Sequence, residues 1–316
     1  MLVTIYKKMG GFSFVRRLAS SHLLSFSFFT LILLGFERKS LEIVRLAINN
    51  RRLQKMRKGN RKFISSYLLK SNVKERAQSN KVWFLWLQGL DSAPIVVKKC
   101  YASLKKHLRD REIVLLTENN FHNYVTFPDF IQNKIDSGVI SKTHFSDLLR
   151  LELLEHYGGT WIDATVFCSG SNYPDYIFDS ELFIYQCLMP GQNGSCIPFS
   201  SWFISSTTNH PIISLTKELL YNYWKGHNSM IDYFLIHYFL QLAIEAYPDE
   251  WKKVIPFCNS LPHMLLLRLF DSYDERTWNA IKQQTCFHKL TYKFDAESES
   301  LCGTYYERIL KNNGEQ

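Results

Sequence analysis

Residues 144–167 read HFSDLLRLELLEHYGGTWIDATVF, and within this stretch the apolar pattern changes period. From Ser146 to Gly159 it is helical: Leu148, Leu149, Leu151, Leu153 and Leu154 supply an apolar helix, and Gly158 stands where a helix-ending glycine is expected. Thr160–Phe167 is a β-branched and aromatic run and reads as a strand. Upstream, Val82–Gly89 (VWFLWLQG) reads as a buried strand that ends at a glycine, and Asp91–Pro94 is turn chemistry. Ile95–Leu108 reads as a helix with Val96, Val97, Tyr101, Leu104 and Leu108 on one face, and Ile113–Leu116 as a second strand. Strand, helix, strand, helix, strand predicts an α/β domain with a mostly parallel sheet. Ligands of such sheets sit beyond the carboxyl ends of the strands. Downstream, Glu181–Gln186 and Ser201–Ser205 are expected to be strands and Pro211–Trp224 and Ile231–Ala246 helices, followed by the short motif CFHKLTYK at Cys286–Lys293. There is no internal repeat and no glycine-rich phosphate loop.

The composition is that of a folded protein. Of 316 residues, 46% are hydrophobic and 21% charged, which excludes a disordered chain. Aromatic residues reach 15%, which suits a domain with a ligand cleft. The seven cysteines form no CxxC pair, so neither a disulfide framework nor a zinc site is expected, and a reducing compartment is. Asn193-Gly194-Ser195 matches a glycosylation sequon that a chain in the cytoplasm would not use.

The net charge of +9 is unevenly placed. Residues 1–80 carry 17 basic and 3 acidic side chains, a net of +14, and the remainder has a net of −5. Within the basic segment, Leu23–Phe36 (LLSFSFFTLILLGF) is apolar but too short to span a bilayer as a straight helix. No small-residue cleavage site follows it, which argues against a signal peptide. The next stretch reads as a helix with Leu41, Val44, Ala47 and Ile48 on a rough stripe and Arg45, Arg51, Arg52, Lys55, Arg57 and Lys58 available for anionic headgroups. Residues 1–80 are therefore expected to form a basic, partly apolar helical region on an anionic membrane surface. The plainer alternative is an extension packed on its own domain. Nucleic acid is not expected as a partner, because the basic stretch lacks interleaved aromatics for base stacking.

Several polar residues stand out against this apolar background. Asp163 lies within an apolar run, where a carboxylate requires compensation by a cation, a ribose hydroxyl or a base. Asp147 and Arg150 are three apart on one helix and share a face. Trp86, beside Gln88 and Gly89 at a strand end, suits stacking on a planar ring or a place in the core. His288 and Lys289 suit a metal and a phosphate, or an ordinary solvated turn. Asp232 and His237 sit among aromatics in IDYFLIHYF, as a buried pair or as support for a second substrate.

Taken in order, WFLWLQG, APIVVKKCYASLKKHL, HFSDLLRLELLEHYGGTWIDATVF, IDYFLIHYF and HKLTYK resemble the bacterial capsular polysaccharide synthesis proteins, within a superfamily of sugar-nucleotide glycosyltransferases of the GT-A fold. Yeast initiating mannosyltransferases belong to that superfamily, and the glycosyltransferase domains of large clostridial toxins are more distant relatives. The resemblance covers about Lys81 to Lys293. It implies a GT-A-type nucleotide-sugar-binding domain at residues 81–295, after the basic region 1–80 and before a tail at 296–316. The implied activity is retaining hexosyl transfer from a nucleotide-diphosphate sugar, a UDP-sugar foremost, to a lipid-linked oligosaccharide of a surface polysaccharide. The implied place is the inner face of the cell membrane, peripherally attached. The implied catalytic residues are Asp163, Asp147 and Arg150. The implied donor contacts are Trp86, Gln88, Gly89, Asp147, Arg150, Gly159, Asp163, Thr165 and Lys289, with Asp232 and His237 supporting the acceptor. The implied cofactor is Mn²⁺ or Mg²⁺, held by Asp163 and His288. One departure matters: the second acid of the superfamily's DXD motif is replaced by Thr165, and a neutral hydroxyl is a poorer ligand for these cations. A non-catalytic module with a degenerate site is the alternative reading.

Overall fold

The computed structural model describes residues 11–72, 74–187 and 197–311; the sequon at Asn193–Ser195 lies outside them. Five strands form the main sheet: β1 (Lys81–Leu85), β2 (Glu112–Leu116), β3 (Gly159–Ile162), β5 (Leu182–Gln186) and β6 (Phe199–Ser206). Their order is β2-β1-β3-β6-β5. β1 pairs parallel with β2 and with β3, while β6 runs antiparallel to both β3 and β5. Four of the five strands thus point the same way, which makes this the mostly parallel α/β sheet expected from the sequence.

Side-chain alternation explains the layers. Trp83, Val114, Leu116, Trp161, Ile184 and Ile204 project to one face. There they meet the helices Lys142–Tyr157, Pro211–Gly226 and Leu235–Ala246. Val82, Phe84, Ile162, Phe183 and Phe203 project to the other, against the helix Ile95–His107 and a small antiparallel ladder of β4 (Val166–Cys168) with β7 (Phe287–Lys289). Both faces are covered, which is why β1 reads as a continuous apolar run.

The run Thr160–Phe167 is not one strand. β3 ends at Ile162, the chain turns through Asp163–Thr165, and β4 joins the second sheet. The turn is closed by a Val166 N–H bond to the Asp163 carbonyl, and the Asp163 N–H donates to the Trp202 carbonyl at 2.9 Å. Asp163 is therefore a strand-end residue. The helix Lys142–Tyr157 begins four residues before the expected start, because Ser141 caps it by accepting from the His144 N–H. The helix expected at Ile231 begins only at Leu235, since Asp232 accepts from the Phe234 N–H and holds a turn there.

The N-terminal region is helical, in three pieces: α1 (Gly11–Ser20), α2 (Leu24–Leu34) and α3 (Arg38–Lys70). α1, α2 and the first half of α3 share a small core of Leu18, Leu23, Val44 and Ile48. From Leu53 and Met56 onward α3 instead joins the main core. Arg52 marks the change: it is buried, with Asp232 Oδ2 at 2.5 Å and the Tyr238 hydroxyl at 3.3 Å. The second half of α3 is thus packed on the main core across the position expected as a boundary, residue 80. At the other end, Tyr305, Tyr306 and Leu310 are buried against Val96, Leu265 and Trp278, so residues 305–310 are anchored. No described helix is long and apolar enough to cross a membrane.

Candidate active site

The site is built where β1 and β3, parallel neighbours, end. Trp86 follows β1 and Asp163 follows β3, so both leave the sheet at its carboxyl edge. The helix Lys142–Tyr157 packs under the same edge and brings Asp147 and Arg150, both buried on one side of it. Arg150 joins three elements. Its Nη1 lies 3.2 Å from Asp147 Oδ1, its Nη2 donates to Asp163 Oδ1 at 3.2 Å, and its guanidinium lies 4.7 Å over the Trp161 ring. Trp161 also donates from Nε1 to Asp163 Oδ1 at 2.9 Å, as residues two apart on one strand face can.

Lys289 closes the arrangement from β7. Its ammonium is 3.2 Å from Asp163 Oδ2 and donates to Thr165 Oγ1 at 2.6 Å. The Leu290 N–H bonds the Thr165 carbonyl at 2.8 Å, which fixes the register between turn and strand. Burial alone would raise the Asp163 carboxyl, but Lys289 and Arg150 outweigh it and hold it below the usual carboxylate range.

A relay supports Asp147 from behind. The Trp224 indole N–H donates to His144 Nε2 at 2.9 Å, and His144 Nδ1 faces Asp147 Oδ2 at 3.3 Å. With Nε2 accepting, Nδ1 carries the ring proton of the neutral imidazole and donates to the carboxylate.

Three buried polar atoms around this edge have no hydrogen-bond or ion-pair partner in the protein: Trp86 Nε1, Arg150 Nε and His237 Nδ1, while Arg150 Nη1 has only its ion pair with Asp147. Buried donors are rarely left unpaired, so their concentration here is what a site for a polar ligand requires. Aromatic rings frame it. Trp86 meets Tyr292 edge-on at 5.3 Å, and Tyr233, exposed, has its phenol pushed up by burial and by the Asp147 and Asp163 carboxylates. His237 stacks with Phe199, and burial lowers it to about 4, so it is neutral near pH 7.

Three expected assignments need correction. His288 points away from Asp163: adjacent to Lys289 on β7, it is fully buried, bonds Ser169 Oγ at 2.8 Å and packs by Trp278. Burial lowers it to about 3. Gly159 stands at the opposite end of β3 from Asp163, roughly 13 Å away along the strand at about 3.3 Å per residue. Its φ is +87°, and a Cβ there would meet the Lys81 carbonyl oxygen at 2.3 Å, so its role is in strand packing. Asp232 pairs with Arg52 instead of His237. Gln88 is exposed, and Gly89 takes φ +75° in the turn after β1, its N–H bonding the Trp86 carbonyl at 3.0 Å.

The donor set around Asp163 does not suit a divalent cation. Mg²⁺ demands near-octahedral oxygen ligation. Asp163 Oδ1 is already shared by Trp161 and Arg150, Oδ2 faces an ammonium, and Thr165 Oγ1 accepts from the same ammonium. Among the described residues the only groups of three side chains placed to hold a cation are Glu152, Glu155, His156 and Glu181, His210, Glu250, neither of which includes Asp163. The first of these is bridged by the Lys217 ammonium.

Residues 36–309 match the family described as capsular polysaccharide synthesis protein. The chain belongs to that family. The O-glycosyltransferase braB of Annulohypoxylon truncatum is 27% identical to it over 165 residues, 46% of this chain and 38% of that one. The chain thus matches well under half the length of that relative. A likeness to the PaToxG glycosyltransferase covers 82% of this chain and 97% of the other, at 15% identity and a TM-score of 0.38, too low to speak for a shared fold.

The structure also adds residues to the site that the sequence reading of this family member passed over: His144, Trp161, Trp224, Tyr233 and Tyr292. Two carried a signal. His144 lies three before Asp147 on the helix, and Trp161 lies two before Asp163 on the strand, the spacings that share a face. Tyr233 and Tyr292 lie within the motifs IDYFLIHYF and HKLTYK, but nothing in the spacing aimed them at Asp163, and Trp224 comes from a distant helix with no signal.

Proposed function

We propose that the protein is a glycosyltransferase that moves a hexosyl group from a nucleoside-diphosphate sugar, UDP-sugar foremost, to a lipid-linked intermediate of a surface polysaccharide. The observation that carries this reading is the continuous chain Asp147–Arg150–Asp163–Lys289–Thr165 at the carboxyl edge of parallel strands, with unpaired buried donors beside it. Its cations suit a diphosphate and its carboxylates suit sugar hydroxyls.

Breaking the bond between the anomeric carbon and the phosphate oxygen leaves positive charge on the sugar and negative charge on the departing diphosphate. Fixed cations aimed at the leaving group lower the barrier most. Arg150 has a buried Nε with no hydrogen-bond partner, its Nη1 and Nη2 being engaged by Asp147 and Asp163, and Lys289 has an ammonium held by two oxygens. Trp86, half-buried with a free indole N–H, offers a stacking surface for the base. Tyr233 and neutral His237 line the acceptor side. Retention of anomeric configuration, by attack of the acceptor hydroxyl on the face from which the diphosphate leaves, comes with the resemblance.

The N-terminal helices suit attachment to the inner face of an anionic membrane. Phe28, Phe29, Ile32 and Leu33 are exposed on one side of α2, while Leu23 and Ser27 are buried on the other. Exposed Arg38, Lys39, Arg45, Arg51, Lys55 and Lys58 follow on α3. This pairing of apolar side chains with cations suits an interface rich in acidic lipid.

The test is a panel of nucleotide sugars offered to the purified chain with a lipid-linked acceptor, read by mass spectrometry. Hydrolysis or transfer of one donor, lost in Asp163→Ala, is expected. Binding of a donor without turnover under all conditions would favour the non-catalytic module instead. If no donor binds or reacts, the reading fails.

A further inference from the structure

We propose that the Lys289 ammonium takes the place of the divalent cation in this site, so that the donor diphosphate is bound and released without a metal. This rests on the sugar-nucleotide reading above. The position is decided by two oxygens. Lys289 Nζ lies 3.2 Å from Asp163 Oδ2 and 2.6 Å from Thr165 Oγ1, the first and third residues of the Asp163-Ala164-Thr165 turn. In a motif with two acids these are the positions whose oxygens would share a cation. Here one of them is a hydroxyl, and a single positive charge sits between them.

The electrostatics agree with a monovalent occupant. A carboxylate and a hydroxyl offer one negative charge, which an ammonium neutralises and a dication overshoots. Arg150 adds a second fixed cation at 3.2 Å from the same carboxylate and has no rotamer freedom to withdraw, being buried beneath the site. A dication entering beside two fixed positive charges would be repelled, and no group of three metal-ligating side chains among the described residues includes Asp163. The ammonium has three donor hydrogens. Two are directed at Asp163 and Thr165, and the third is left for a phosphate oxygen. Lys289 remains partly exposed, and so does Asp163, so the group is held by the fold but open to a ligand.

In the transfer step the bond between the anomeric carbon and the phosphate oxygen breaks, and its electron pair goes to that oxygen. The acceptor hydroxyl oxygen forms the new bond to carbon, and its proton passes to the departing phosphate. Lys289 exchanges nothing; it supplies the charge against which the diphosphate accumulates its own.

Titration calorimetry of the full chain with UDP and with GDP, each in EDTA and each in Mn²⁺, tests this. For the diphosphate that binds, the two buffers are expected to give the same Kd within about twofold. Lys289→Ala should weaken binding in EDTA by roughly tenfold to a hundredfold, the worth of a charge-assisted hydrogen bond, and Lys289→Arg should recover most of it. Electron paramagnetic resonance with the native chain and UDP should show no Mn²⁺ signal beyond that of the Mn²⁺–UDP mixture without protein. The double variant Lys289→Ala/Thr165→Asp removes the ammonium and supplies a second carboxylate, and its UDP binding should become Mn²⁺-dependent. Native binding that requires Mn²⁺, or a protein-bound Mn²⁺ signal with UDP, overturns the proposal even if Lys289→Ala fails to fold. If neither diphosphate binds in either buffer, the sugar-nucleotide reading falls, and this inference falls with it.

Discussion

Arg150 Nη2 lies 3.2 Å from Asp163 Oδ1, and the two residues are thirteen apart in sequence. The contact ties the middle of the buried helix Lys142–Tyr157 to the end of β3, across the Gly158–Gly159 turn. The same guanidinium holds Asp147, so one planar cation fixes two carboxylates.

That geometry makes the planar fork matter and not only its charge. Lys at this position is a single point charge and cannot reach both acids. Arg150→Ala is expected to lower kcat/KM by about 10²–10³-fold, and Arg150→Lys by at least about tenfold, with the Lys variant still folded. A donor-hydrolysis assay beside a thermal melt reads both. Full activity in Arg150→Lys would remove the bridge from the mechanism.

His144 supports Asp147 through a ring held by Trp224. His144→Phe keeps the volume but leaves the Trp224 N–H and one Asp147 oxygen short of a partner. Each such loss costs about 1–3 kcal/mol. The melting temperature should fall, and kcat should fall in the variant that remains folded. Should neither change, the relay is idle.

Acid should destabilise the fold through two buried histidines. His210 and His288 are each lowered to about 3 by burial, from an ordinary value near 6.5. With the folded value depressed, the unfolded chain binds more protons between pH 6.5 and 3, so stability rises with pH across this window and is lost as pH falls. From neutral to pH 5 each contributes a loss on the order of 2 kcal/mol. Urea midpoints at pH 7 and 5 measure it. His288→Gln, which retains a partner for Ser169, should remove its share of the slope, and an unchanged slope would contradict the assignment.

The apolar side of α2 predicts a membrane contact that can be removed without touching the site. Phe28→Ser/Phe29→Ser/Ile32→Ser takes three exposed apolar side chains from that surface. At about 1.5 kcal/mol or more for each fully buried side chain, partitioning to phosphatidylglycerol vesicles should fall at least about a hundredfold. Co-sedimentation compares this with neutral vesicles. Equal binding by the variant would show that charge alone, or another surface, does the work.

Gly159→Ala tests the reassignment of that glycine. A Cβ would press on the Lys81 carbonyl, and the positive φ adds strain, so a loss of more than about 2 kcal/mol is expected. The donor affinity of whatever folds should match the native chain. A selective loss of donor affinity with normal stability would return Gly159 to the binding site.

Much of this was present in the chain before any coordinates. A helix over Ser146–Gly159, its closing glycines and a strand from Thr160 followed from a change of period, though the helix start at Lys142 and the break after Ile162 did not, and the parallel sheet followed from alternation of strands and helices. Asp147, Arg150 and Asp163 were visible as charges set in apolar surroundings, whereas Lys289 read equally as part of a solvated turn. His288 misled for a physical reason. In a strand, neighbours point to opposite faces, so of the adjacent His288 and Lys289 only one faces Asp163, and no sequence rule said which.

The sequence by itself determined the local structure, since the period of the apolar residues, Ser141 as cap and the two glycines act over a few residues each. It also determined which charges were too costly to leave unpaired in an apolar setting. Only the tertiary structure decided the partners. Lys289 meets Thr165 across 124 residues, and Arg52 meets Asp232 across 180. Such contacts depend on how helices and sheets stack to exclude water, a property of the whole packed core that no short window of sequence contains.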